Sequence, residues 1–138
     1  MATPPLEKVL DNILLADATV AALAAGGVET GDIPPNATYP LILVFRIDAP
    51  RDDTIDGPLG RVTARMQLEI RGNTKPDVFN LAQAVRRRLN GLSGTFTYGA
   101  DTLQILYAKI DTDQGPFPGQ DRGIYRIIQD YMITYQED

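Results

Sequence analysis

The chain has 138 residues, 43% of them apolar and 22% charged, a formal net charge of −5, and neither histidine nor cysteine. That length suits one domain with a core of its own, while the two missing residue types remove the commonest general base, the thiolate nucleophile, disulfides and most soft-metal chemistry. An acidic chain lacks the cationic surplus that nucleic-acid phosphates demand, and the N-terminal apolar run, broken by Glu7, Lys8, Asp11, Asn12 and Asp17, is neither a signal peptide nor a membrane span.

Leu6, Val9, Leu10, Ile13 and Leu14 recur at helical spacing behind Thr3, a candidate N-cap, and predict a helix over Pro4–Leu15 with both prolines where a first turn tolerates them. Asp17 is placed to cap a second, Ala-rich helix over Ala18–Ala25, which Gly26 and Gly27 close. The two form a helical hairpin. Residues 28–40 (VETGDIPPNATYP) read as a connecting loop, because Gly31, Pro34, Pro35 and Pro40 oppose regular structure. Leu41–Ile47 is almost continuously apolar, as in a strand covered on both faces.

Asp48–Gly60 (DAPRDDTIDGPLG) is too long for a tight hairpin and reads as an arm projecting from the sheet edge. Over Arg61–Arg71 the alternation is strict: Val62, Ala64, Met66, Leu68 and Ile70 share one face, and Arg61, Thr63, Arg65, Gln67, Glu69 and Arg71 the other. Thr74 and Asp77 stand at capping-box spacing, with Pro76 in the first turn of a central helix. Val78, Leu81, Ala82, Val85, Leu89 and Leu92 give that helix one apolar face, and Gly91 ends it. Arg86, Arg87 and Arg88 fan around its axis at about 100° per residue, so they complement the helix dipole without forming one phosphate-facing stripe.

Three strands complete the chain: Thr95–Tyr98, Leu103–Asp111 and, after the loop TDQGPFPGQD, Gly123–Tyr135. The last carries Tyr125, Ile127, Tyr131, Ile133 and Tyr135 on one face, interrupted by Gln129, and reads as core. The order ααββαβββ predicts a single α+β domain over residues 1–138, a mainly antiparallel sheet packed by a central helix with an N-terminal helical hairpin.

Chemistry finds little support. Asp48, Asp52, Asp53 and Asp56 partly resemble a calcium loop, but with Asp52 as first ligand Thr54 falls at the third position and Thr63 where a bidentate Glu belongs. Gly57 and Gly60 lack the Lys-Ser/Thr of a phosphate loop, and Ser93, the sole serine, has no His or Lys base nearby. We expect no enzyme, cofactor or metal, and, without histidine, assembly insensitive to pH between about 6 and 8 unless a carboxylate is strongly perturbed. Contacts are better served: Arg61, Arg65 and Arg71 are placed to meet Asp52, Asp53 or Asp56 of a neighbouring copy in a heterologous pairing that closes into a ring. The same face reads equally as solvated charge beside an idle loop.

The segments LLADATVAALAAGGV, YPLILVFRI, TIDGPLG, RVTARMQLEIRG, VFNLAQAVRRRLNGLSG and GIYRIIQDYMITY, in this order, resemble the tail-completion, or tail-terminator, family of long-tailed bacteriophages and related gene-transfer particles. The resemblance implies the same α+β domain, assembled in the host cytoplasm into a ring, typically a hexamer. Such a ring caps the head-proximal end of the tail, stops tail-tube polymerisation and meets the head–tail connector. It implies no catalytic residues, cofactor or membrane contact, and DNA that passes through without specific binding. The expected subunit or partner contacts are Arg51, Asp52, Asp53, Asp56, Arg61, Arg65, Arg71, Gln114, Phe117 and Gln120. The alternatives are a neck or head–tail adaptor protein of the same particle and a small carboxylate-dependent enzyme or metal-binding domain built on Asp52, Asp53 and Asp56.

Overall fold

Helices α1 (Leu6–Ala16) and α2 (Ala18–Leu23) open the fold in the computed structural model, which describes residues 4–30, 33, 36–49, 51–54, 57–118 and 123–136, the side chains of 48, 51–54 and 57–59 excepted. The predicted cap Thr3 lies outside the described residues; Pro5 is the N-cap residue, and its carbonyl accepts the first backbone bonds from Lys8 and Val9, both 3.1 Å. Pro4 and Pro5 thus precede the helix, where their missing N–H groups cost nothing. Leu6, Val9, Leu10, Ile13 and Leu14 are buried as their spacing requires, each contributing about 1.5–3 kcal/mol through lost apolar exposure. Asp17 caps α2 by accepting a bond from the Val20 amide at 3.0 Å, and α2 ends at Leu23, two residues earlier than its composition suggested.

Seven strands form one sheet: β1 (Val28–Thr30), β2 (Leu41–Asp48), β3 (Arg51–Thr54), β4 (Gly57–Gly72), β5 (Gly94–Tyr98), β6 (Asp101–Pro118) and β7 (Tyr125–Gln136), with helix α3 (Lys75–Leu89) between β4 and β5. Their spatial order is β1-β2-β4-β7-β6-β5, with β3 beside the first part of β4. The α+β class holds, but the element order is ααββββαβββ and the sheet is mixed, because β1 runs parallel to β2 while the other pairs are antiparallel. Three differences from the sequence reading account for this. Val28–Thr30, read as loop, is a short strand; the arm contains β3; and β6 runs on through Asp113–Pro118, read as loop.

The core lies between one sheet face and helices α1 and α3. Val62, Ala64, Met66, Leu68 and Ile70 of β4 enter it together with Ile127, Tyr131, Ile133 and Tyr135 of β7, confirming the alternation in both strands. Leu41 to Val44 are buried at four consecutive positions, so β2 is covered on both faces at this end. Thr74 caps α3 by accepting from the Asp77 amide at 3.2 Å. Gln129, the polar interruption in β7, is fully buried, donates to the Ala82 carbonyl at 3.0 Å and accepts from the Tyr131 hydroxyl at 2.8 Å. The β6 register shifts between Ile105 and Tyr107, so that Leu103, Ile105 and Ala108 all reach the core despite uneven spacing. Among the described residues no helix is long and apolar enough to cross a membrane.

Gly26 locks the helical hairpin onto the sheet. Its amide donates to the Pro40 carbonyl at 2.8 Å, and a Cβ there would collide with the Thr38 carbonyl oxygen. Gly26→Ala is therefore expected to destabilise the fold by about 2 kcal/mol or more, on the scale of overpacked sites, whereas Gln83→Ala on the exposed face of α3 should stay within about 0.5 kcal/mol. Urea denaturation of the two variants reads the contrast.

Candidate interaction surfaces

The arm is a two-stranded ribbon. Its register is Arg51↔Val62, Asp53↔Pro58 and Thr54↔Gly57. The described part of β7 ends at Gln136 opposite Arg61, and β2 pairs with β4 only from Arg65 onward. Beyond Arg61, therefore, β3 and the first residues of β4 have each other and no third strand among the described residues, an arrangement marginal by itself in water. Of the residues expected to make contacts, Arg51, Asp52 and Asp53 sit on this ribbon, and Asp56 lies outside the described residues.

The sheet face away from the helices carries the alternating polar residues of β4 and β7. Arg65 and Arg71, expected to reach a neighbour's aspartates, already have partners in their own chain. Arg65 donates to Asp111 at 2.9 Å and lies 3.8 Å from Asp130; Arg71 meets Glu69 at 2.9 Å. Arg126 approaches the same Glu69 oxygen at 3.3 Å, so this carboxylate, only 6% exposed, lies between two guanidinium groups. Thr63 and Thr134 share a hydroxyl hydrogen bond at 3.0 Å, and Arg61 is also engaged. The partly exposed Arg65 pairs contribute little stability, whereas removing Glu69 would strand two cations. Arg126 Nε and Asp130 Oδ1 are buried here without a partner.

Gln114 and Phe117, predicted on a loop, are strand residues paired with Ile128 and Arg126 of β7; Gln120 lies outside the described residues. Gly115 adopts φ 113°, a conformation only glycine takes readily, and the register shifts there. A turn-like composition is thus absorbed as a bulge inside a strand.

The surface that sequence reading missed is the outer side of α3. A cleft of about 380 Å³ lies between α2 and α3, lined by Asp17, Leu23, Asn80, Gln83, Arg87 and Arg88 among others. A second, of about 300 Å³, lies between α3 and the β6–β7 edge and includes Phe79, Asn80, Gln83, Arg86 and Asp113. Asn80 and Gln83 line both and form the crest between them. Phe79 stands 54% exposed. Arg86 pairs with Asp113 at 3.2 Å and Arg88 approaches Asp17 at 4.0 Å, while Arg87 has no hydrogen-bond or ion-pair partner among the described residues. The signal was present in the sequence: Phe79 falls off the apolar stripe of its own helix, and the three arginines follow on the next turns.

Asp11 on α1 faces the core edge, 9% exposed, and accepts a bond from the Thr30 hydroxyl at 3.1 Å through one carboxylate oxygen, while the other has no partner. Burial pushes this carboxyl from 3.8 up to about 6. The Thr30 bond and Lys8 oppose the rise, and Glu29 and Glu7 add to it. Asp11 is thus the kind of perturbed carboxylate that the expectation of pH-insensitive assembly set aside. Tyr131 is raised above its ordinary value by burial and by the charge of Asp113, counteracted by Arg86. Among the described residues no three carboxylates gather to hold a metal ion.

With this geometry in place, comparisons with known proteins are specific. Residues 9–136 match the family described as Tail completion protein gp17. The fold is similar to a chain from a solved structure described as "Virion of native gene transfer agent (GTA) particle", with a TM-score of 0.69, 16% identity, and coverage of 95% of this chain and 94% of that one. No curated protein matches in sequence.

The Asp11 geometry generates a pH prediction. Its carboxyl binds a proton more tightly folded than unfolded, so its contribution to stability is complete below about 3.8 and is lost as pH rises through about 6. The wild type should gain on the order of 1 kcal/mol between pH 8 and pH 5 relative to Asp11→Asn, which lacks this titration. Parallel denaturant titrations at the two pH values check it; equal pH dependence in both proteins would remove Asp11 from the account.

Proposed function

Because the chain belongs to the tail completion protein gp17 family, and is thus a structural virion protein of phage-tail type, we propose that it forms a ring, hexameric by preference, at the head-proximal end of the tail. The ring stops tail-tube polymerisation and offers its other face to the head–tail connector. The observation that carries this reading is the extent of the family match, 128 of the 138 residues, from residue 9 to residue 136.

The fold supports the reading through the features that self-assembly needs. An overhanging ribbon at one place and an exposed helix crest at another are unlike surfaces, as a head-to-tail contact requires, and such contacts close into rings when the rotation divides a full turn. Arg51, Asp52, Asp53 and Asp56 belong to this proposed contact region, as do Arg61, Arg65 and Arg71 on the open sheet face, Gln114 and Phe117 near the far end of β6, and, by sequence, Gln120. No catalytic step is assigned. The negative net charge suits a channel that lets DNA pass without gripping it, and assembly takes place in the host cytoplasm.

Deleting Arg51–Asp56 should leave a folded monomer that no longer assembles. Light scattering on the wild type should find a species of about 91 kDa, six times 15.1 kDa, alone or after addition of purified tail-tube ends. Negative-stain imaging should show it as an annulus at the head-proximal tip. Rings of normal mass from the deletion variant would remove the arm from the assembly contact, and location on the capsid side of the joint would move the protein to the neck adaptor role.

A further inference from the structure

Three observations converge on one contact. The first is a ribbon that overhangs its sheet. β3 and residues Gly57–Gly60 pair with each other beyond the point where β2 and the described part of β7 stop, and among the described residues β3 pairs with β4 alone. A two-stranded ribbon gains stability when a further surface packs on it. The second is its excess of acid: β3 reads Arg-Asp-Asp-Thr, with the adjacent Asp52 and Asp53 against the single Arg51. The third is where positive charge remains available. Arg65 and Arg71 on the sheet face are spent on Asp111, Asp130 and Glu69, whereas Arg87 on α3 has no partner among the described residues, and Arg86 and Arg88 beside it hold theirs at 3.2 and 4.0 Å.

From these we infer that the crest of α3, with the clefts on either side of it, receives the β3–β4 ribbon of a second copy of this chain. The inference rests on the ring reading above and names the surface that reading leaves open. The crest is suited to a ribbon in shape as well as charge. Two clefts of about 380 and 300 Å³ flank a single row of side chains. Asn80 and Gln83 there offer amide donors and acceptors to strand backbone, and Phe79, 54% exposed, supplies the apolar anchor that interface centres favour. The crest rides on a fifteen-residue helix held to the sheet by the buried Gln129–Ala82 bond, so little ordering is left to be done on binding.

The absence of cysteine makes the contact directly measurable. Thr54→Cys on the ribbon and Gln83→Cys on the crest introduce the only thiols, to be joined by a short bismaleimide in wild-type-like conditions. Mixing the two single variants should yield a cross-linked dimer, and the double variant a ladder ending at the mass of the ring. In parallel, Arg87→Glu, at a surface position where the fold has nothing to lose, should weaken self-association at least tenfold by light scattering, and adding Asp53→Arg in the same chain should restore it. Rings of normal mass without a 54–83 cross-link, or with Arg87→Glu assembling normally, would overturn this contact and leave the ring reading standing. A wild type that stays monomeric even on tail-tube ends would overturn both.

Discussion

The antiparallel pairing of β4 with β7, unbroken from Arg61↔Gln136 to Gly72↔Tyr125, is the constraint on which the remaining structure depends. Side chains alternate across a strand, so one register places Val62, Ala64, Met66, Leu68 and Ile70 beside Tyr135, Ile133, Tyr131 and Ile127 on one face and every arginine of β4 on the other. A slip by one residue would put five arginine, glutamate and glutamine positions into the core. That penalty fixes the sheet, and the sheet fixes where α3 must lie to cover its apolar face. The ribbon is a consequence of the same pairing: β4 is longer than its partners, and what exceeds them projects.

Gln129 shows how the helix is held in a defined place and not merely adsorbed. A fully buried amide costs free energy unless its hydrogen bonds are made. Here the bonds exist only if Ala82 of α3 and the Tyr131 hydroxyl are both in position. An apolar residue at 129 would pack α3 with less regard to its rotation and translation. This is what gives the outer crest of α3, on the opposite side of the helix, a defined orientation toward a partner.

Elements whose faces differ sharply in polarity were legible in the sequence. The alternation of β4, the helical spacing of Leu6 to Leu14 and the apolar face of α3 each follow from local pattern, and all three are present, although β4 begins at Gly57, within the segment read as an arm. What was not legible depends on partners distant in the chain. Val28–Thr30 becomes a strand only because β2 is there to pair with it in parallel, and Asp113–Pro118, with a glycine and two prolines, is held in β6 by β7 across a register shift. The candidate contact residues divide along the same line. That Arg65 and Arg71 face away from the core was readable, but that Asp111, Asp130 and Glu69 occupy them was not, because Asp111 and Asp130 arrive from strands more than forty residues away. Glu69 was assigned to a solvent face and is instead buried between Arg71 and Arg126, one of which lies fifty-seven residues on.

This internal pairing bears on how a protein of net charge −5 associates with itself. Copies of an acidic chain repel one another at long range, and an interface gains from charge only where a cation is still uncompensated. The open sheet face presents ion pairs already neutralised within the chain, so a partner there meets dipoles more than net charge. The outer side of α3 presents Arg87 in one cleft and the exposed Phe79 ring in the other. Two surfaces on one subunit thus differ in kind. The cationic crest favours an acidic segment that approaches from outside the sheet plane. The neutralised face favours a partner that matches a fixed polar pattern. The ring proposed for this chain calls for both, one surface for lateral contact between copies and a separate one for what is stacked above or below.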